Sequence, residues 1–126
     1  MVLHGRCNCF LVETGECRLL VDTGRTRDWR RLATAIERAG VRPGGPLDLV
    51  LTHTHFDHAE NVASVKETFG ATVIVHQAEA AMLAAGRGPI PVGTVGPTRL
   101  LMRMAGDRAR GWFGYRPVTP DIVVGQ

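Results

Sequence analysis

The spacing of hydrophobic and polar positions changes several times along this chain, and each change marks an element. Residues 7 to 13 (CNCFLVE) alternate loosely, Thr14, Gly15 and Glu16 supply turn chemistry, and residues 17 to 22 (CRLLVD) form a second apolar run. Two such runs about a Gly-containing turn predict a β-hairpin. Its second strand leads into Asp22-Thr23-Gly24, after which Trp29, Leu32, Ala33 and Ile36 recur at helical spacing. Thr26 is placed to cap that helix, and Gly40 to end it near residue 39.

After the turn-rich segment VRPGGP (41 to 46), the run LDLVLT (47 to 52) is too short and too apolar for a surface helix and predicts a buried strand. Val62, Val65 and Phe69 mark a second amphipathic helix that stops at Gly70, and ATVIVH (71 to 76) is another buried strand. A β-α-β unit with a parallel pair follows. Residues 77 to 85 (QAEAAMLAA) predict a short Ala-rich helix, and residues 86 to 97, with four Gly and three Pro, a loop of the kind that often frames a site. A third amphipathic stretch, TRLLMRMAGDRAR, leads through Trp112, Phe113 and Tyr115 to a last strand at 121 to 125. Met82, Met102 and Met104 fall at apolar helix positions and are expected to pack. The aromatic cluster is placed either to line a substrate pocket or to cover the core.

Composition narrows the classes open to the chain. With 126 residues, 44% of them hydrophobic and 21% charged, there is enough apolar surface for one core and one domain spanning residues 1 to 126. Ordinary apolar content and a mean hydropathy of zero argue against a disordered polymer, a collagen-like repeat or a coiled coil. Net charge is +3, yet the 14 Arg and the single Lys66 are scattered from Arg6 to Arg116. That distribution makes no nucleic-acid footprint. MVLHGRCNCF has neither a basic n-region nor a long apolar stretch, and eighteen apolar residues never run together, which predicts a soluble protein. Three cysteines cannot all pair within one chain, so a reducing, cytoplasmic setting fits. Cys7 and Cys9, two apart on a strand, share a face and are expected in the core.

The densest chemical information lies in Thr52-His53-Thr54-His55-Phe56-Asp57-His58, where three of the five histidines fall within six residues after a buried strand. Chance would put three His and one Asp at those four places in roughly four of ten thousand chains of this composition. Neutral imidazoles with one carboxylate suit zinc or another borderline divalent ion, with iron and manganese as alternatives. Alternate residues of an extended segment point the same way, so His53 and His55 can converge on one ion, while the turn into the following helix aims Asp57 and His58 at a neighbouring point. In the competing reading Asp57 only caps the next helix and the histidines are solvated. That reading leaves unexplained why the run sits at the carboxyl end of a buried strand, where α/β proteins place their sites.

The run HxHxDH, with Asn8 in CNCFLVE, LVDTG at 20 to 24, VIVHQAEAAML and PDIVVG, resembles the metallo-β-lactamase-fold hydrolases along essentially the whole chain. The resemblance implies the α/β (α+β) class, specifically the αβ half of an αβ/βα sandwich: a mixed sheet with helices packed on one side. It implies one or two zinc ions, the first held by His53 and His55 and the second by Asp57 and His58, with Asp57 both ligand and catalytic group. Asp22 would stand outside the ligand sphere and help hold the metal loop. A hydroxide made available by the ions would attack a carbonyl or phosphorus centre of a small-molecule substrate such as an ester, thioester or lactone.

Relatives bring a third His, a bridging Asp and a further His from the second half of the fold, whereas here only His4 and His76 remain and no His follows. The chain therefore reads as a first half that stops before the second. An incomplete ligand set weakens metal binding, and missing layers leave apolar surface that favours self-association or a complementing C-terminal half. Two alternatives to the hydrolase are thus a non-catalytic half-domain and, within the same fold, a phosphodiesterase or nuclease. Glu60 stands where relatives usually have Gly and is expected to be solvated at a helix start. His76 is expected at the surface or beside the site without ligating.

Overall fold

The computed structural model describes residues 2–3, 7–15, 17–88, 104 and 114–125. Six strands form one sheet in sequence order: β1 (Val2–Leu3), β2 (Cys9–Thr14), β3 (Cys17–Val21), β4 (Asp48–Val50), β5 (Thr72–His76) and β6 (Ile122–Val124). The first three pair antiparallel, and β3 to β6 run parallel. The helices are α1 (Trp29–Arg38), preceded by a 3-10 turn at Thr26–Asp28, then α2 (Phe56–Ala59), α3 (Val62–Phe69) and α4 (Gln77–Ala84). The mixed α/β (α+β) sheet expected from the sequence is therefore present. The predicted β4-α3-β5 crossover is preceded by a second one through α1, and β1 adds a short edge that two residues were too few to announce.

Register partners share a face of the sheet, which explains why one face is core and the other is not. Leu11, Leu20, Leu49 and Val73 lie across from one another on β2 to β5 and are all buried. They join Leu32 and Ile36 of α1, Val62, Val65 and Phe69 of α3 and Leu83 of α4 in one hydrophobic cluster, so the helices cover this side. The Trp29 ring tilts onto Phe69 with centroids 6.4 Å apart. On the opposite face Phe10, Val21, Val50, Ile74 and Ile122 make an apolar row across five strands. That row is half-buried at its centre and open at its ends, with Phe10 41% and Ile122 45% exposed. The expectation of uncovered apolar surface is met at those ends.

Several local expectations are corrected. Thr26 does not cap a helix with its side chain; residues 26–28 form the 3-10 turn, and α1 begins at Trp29 with no side-chain cap. The helix expected from Val62, Val65 and Phe69 to stop at Gly70 is present as α3, and the one-turn α2 that precedes it is set apart at Glu60 and Asn61. Asn61 is the reason, because its buried amide donates to Thr23 O at 2.9 Å and Arg25 O at 2.8 Å and ties this corner to the segment after β3. Met82 and Met104 are exposed rather than packed. The expectations for residues 89–103, 105–110, Trp112 and Phe113 lie outside the described residues. Among the described residues no helix is long and apolar enough to cross a membrane.

Candidate metal centre

Because β3, β4 and β5 are parallel, their carboxyl ends deliver Asp22, the Thr52 to His58 loop and the start of α4 to the same edge of the sheet. Asp22 leaves β3 with φ 59°, a left-handed conformation that Asp tolerates better than most residues, and its N–H donates to Val50 O at 3.0 Å. This bend points a carboxylate that is 3% exposed at the neighbouring loop. Oδ1 accepts from Thr52 N–H at 2.9 Å, while Oδ2 accepts from the Thr52 hydroxyl at 2.8 Å and from His58 Nδ1 at 2.9 Å.

These bonds fix two imidazoles by elimination. A carboxylate only accepts, so His58 carries its proton on Nδ1. The Thr52 hydroxyl donates its hydrogen bond to Asp22, so its oxygen accepts from His53 Nδ1, 2.9 Å away. Both rings therefore keep the Nε2 lone pair for a ligand, and a single buried carboxylate sets both. The His53 ring lies 4.0 Å from His58 and 4.6 Å, edge to face, from His55. Burial, and then the neighbouring His58 and His55 rings, hold the His53 pKa below the ordinary histidine value, which favours the neutral form. His55 precedes α2, and its carbonyl accepts from His58 N–H at 2.9 Å and Ala59 N–H at 3.0 Å. Asp57 sits half-buried in the first turn of α2.

The loop is braced from three sides. The backbone N–H and hydroxyl of Thr54, which is fully buried, both donate to Glu79 Oε2 of α4, and Tyr115 OH lies 3.2 Å from Thr54 O. Tyr115 thus anchors the loop, a task the sequence did not suggest for it. Gly88 passes so close that a Cβ there would stand 2.3 Å from Thr54 O. On the far side, His58 O accepts from Thr23 N–H at 2.8 Å and from its hydroxyl at 2.7 Å. Glu60 is not solvated: it accepts from Thr26 N–H at 2.7 Å, and the Arg25 guanidinium lies 3.5 Å away, so Glu60 holds the 3-10 turn that Thr26 was expected to start. His76 is exposed and caps α4 by accepting from Ala78 N–H at 3.2 Å.

Cys7 and Cys9 are buried in the core cluster as expected, and burial pushes their thiols up to about 12 and about 11. Cys7 nevertheless also reaches the site, with Sγ 3.3 Å from His58 Nδ1. Among the described residues, Cys7, Asp22 and His58 bring one donor atom each to within 4.8 Å of one another, a candidate metal site. Sequence reasoning missed Glu79. Its one signal was a carboxylate three residues past the β5 end in an otherwise uncharged Ala-rich helix.

A mixed sheet with helices on one face thus carries three histidines at the carboxyl edge of its parallel strands. Residues 3–122 match the sequence profile of the Metallo-beta-lactamase superfamily, and the chain belongs to that superfamily. Its fold is similar to the metallo-β-lactamase with a HARLDQ motif from Cronobacter sakazakii, seen in a motif mutant, with a TM-score of 0.70 and 24% identity over 94% of this chain and 41% of that one. It is also similar to FEZ-1 from Legionella gormanii, with a TM-score of 0.68, 18% identity and coverage of 93% and 39%. BJP-1, a subclass B3 metallo-β-lactamase of Bradyrhizobium japonicum, gives 0.68, 18%, 94% and 39%. The chain thus spans about two fifths of the length of these structures.

Proposed function

We propose that the chain carries the ligand-bearing first half of a zinc-dependent hydrolase site acting on an ester, thioester, lactone or similar small substrate. The observation that carries this reading is the arrangement of His53, His55 and His58: three neighbouring imidazoles, two with Nδ1 tied inward and Nε2 left to ligate. Superfamily membership supports the reaction class.

The donor set fits zinc, with His53 and His55 serving a first ion and Asp57 and His58 a second. When bound, zinc lowers the pKa of its water and polarises the bond to be cleaved. The protein's own residues do the rest. Asp22 keeps the proton of His58 on Nδ1 and, through Thr52, that of His53 on Nδ1. Glu79 and Tyr115 fix the backbone of Thr54 between the first two histidines, so these rings do not rotate away when the loop is loaded. Remaining ligands would come from a second half, in this chain's longer form or in another chain, seated on the apolar row of Phe10, Val21, Val50, Ile74 and Ile122. A self-associating half-domain without catalysis is the second reading, favoured by the exposure of Phe10, Val12 and Ile122 on that row's side of the sheet.

The test is elemental analysis of the purified chain and of the H53A/H55A double variant, alongside far-ultraviolet circular dichroism. The expected result is zinc in the parent, loss of that zinc in the variant, and an unchanged fold. A double variant that keeps full zinc content would overturn the site assignment.

A further inference from the structure

Behind the three rings lies a thiol that the hydrolase reading leaves idle, beside two donors that it uses. Cys7 Sγ stands 3.3 Å from His58 Nδ1, and Nδ1 stands 2.9 Å from Asp22 Oδ2. Thiol, imidazole and carboxylate are the three protein donor types that zinc-like ions accept. With zinc–sulfur near 2.3 Å and zinc–nitrogen and zinc–oxygen near 2.0 Å, tetrahedral geometry puts sulfur and nitrogen donors about 3.5 Å apart and nitrogen and oxygen donors about 3.3 Å apart. The observed separations are shorter by a few tenths of an ångström, as expected of hydrogen-bonded donors that an ion would spread slightly. Cys7 is 8% exposed and Asp22 3%, so the donors are already desolvated, and the Cys9 side chain lies within hydrogen-bonding reach of Cys7.

We propose that Cys7, Asp22 and His58 through Nδ1 form an inner site for a thiophilic divalent cation such as cadmium, separate from the outer cluster of His53, His55 and His58 Nε2. Binding breaks the Cys7 S–H bond, sends that one proton to solvent, moves the His58 proton from Nδ1 to Nε2, and forms metal–sulfur and metal–nitrogen bonds with no change of oxidation state. His58 then holds its one proton on Nε2 and is withdrawn from the outer cluster. The inner and outer sites therefore compete for one side chain, and a soft metal acts as an antagonist of the outer ion.

Cadmium chloride titration of the full chain, carrying C17S to remove the exposed thiol, tests this. The expected result is an ultraviolet thiolate-to-cadmium charge-transfer band that saturates at one ion per chain. The band should vanish when C7S is added and persist when H53A/H55A is added instead. No band in the C17S protein, an undiminished band after C7S, or a band lost with His53 and His55 would each overturn the inner site. Cadmium NMR of the C17S protein asks the same question without altering Cys7, since a resonance reporting nitrogen and oxygen donors alone would also overturn it. The proposal does not rest on the hydrolase reading: zinc loss from H53A/H55A reports the outer cluster, and the cadmium band reports the inner one.

Discussion

Replacing Asp22 with Asn isolates the proton placement on which the proposed metal centre depends. Asn tolerates the positive φ of this position as Asp does, so the backbone contributes little to the effect. Its one carbonyl oxygen can still accept from Thr52 N–H, but an NH2 group then occupies the place of Oδ2 and presents donors to the Thr52 hydroxyl and to His58 Nδ1. His58 responds by moving its proton to Nε2. The Thr52 hydroxyl turns round, donates to His53 Nδ1 and forces that proton to Nε2 as well. Two of the three imidazoles then point N–H at the ion. Exchanging three bonds to a charged acceptor for neutral ones costs about 2–3 kcal/mol of stability. Disturbing the groups that orient metal-ligating histidines costs about 10–100-fold in metal affinity. Competition against a chromophoric zinc chelator reads the affinity, and nitrogen NMR of the imidazoles reads the tautomers. A D22N protein that binds zinc as the parent does, with the His58 proton still on Nδ1, would refute the argument.

Other consequences are equally open to measurement. Asn61→Ala removes two bonds from a fully buried amide to Thr23 O and Arg25 O and should lower unfolding stability by about 2–3 kcal/mol in urea titrations, without changing the pairing of the sheet. Lys66, 2.7 Å from Asp121 Oδ1, together with Val73 N–H, holds the Asp121 carboxyl below its ordinary value of 3.8. The unfolded chain therefore takes up this proton first as pH falls. The stability from Asp121 is present above about pH 4 and lost below it, so D121N should flatten the acid limb of the stability curve, and an unchanged limb would exclude the effect. Native-state alkylation at neutral pH should modify exposed Cys17 well before Cys7 and Cys9, whose thiols burial keeps protonated.

What was legible in the sequence was what depends on near neighbours. The hairpin, the helix from Trp29, the two buried strands and the histidine run after the first of them all follow from spacing within a dozen residues. The features that were not legible join distant residues. Glu79 supports Thr54 from 25 positions away, Asn61 ties to Thr23 across 38, and Glu60 holds Thr26 across 34. Glu60 read as a solvated helix start because helix-start Glu is ordinary, and only the fold brings an unpaired N–H to it. Tyr115 was left between pocket and core, and its hydroxyl contact with the ligand loop, across 61 positions, could come only from the tertiary arrangement.

The closeness of His53, His55 and His58 in the chain bears on how metal couples to folding. Three imidazoles within six residues stay near one another even when the sheet is gone, while Asp22 and Glu79 do not. On the proposed site the denatured chain is therefore itself a chelator, differing from the native one mainly by the loss of fixed tautomers and a fixed loop. Linkage makes the stabilisation depend on the ratio of the two affinities and not on the native affinity alone. Zinc should accordingly raise the melting temperature by less than its native dissociation constant implies, and the shortfall measures how much of the affinity the folded support around Asp22 adds.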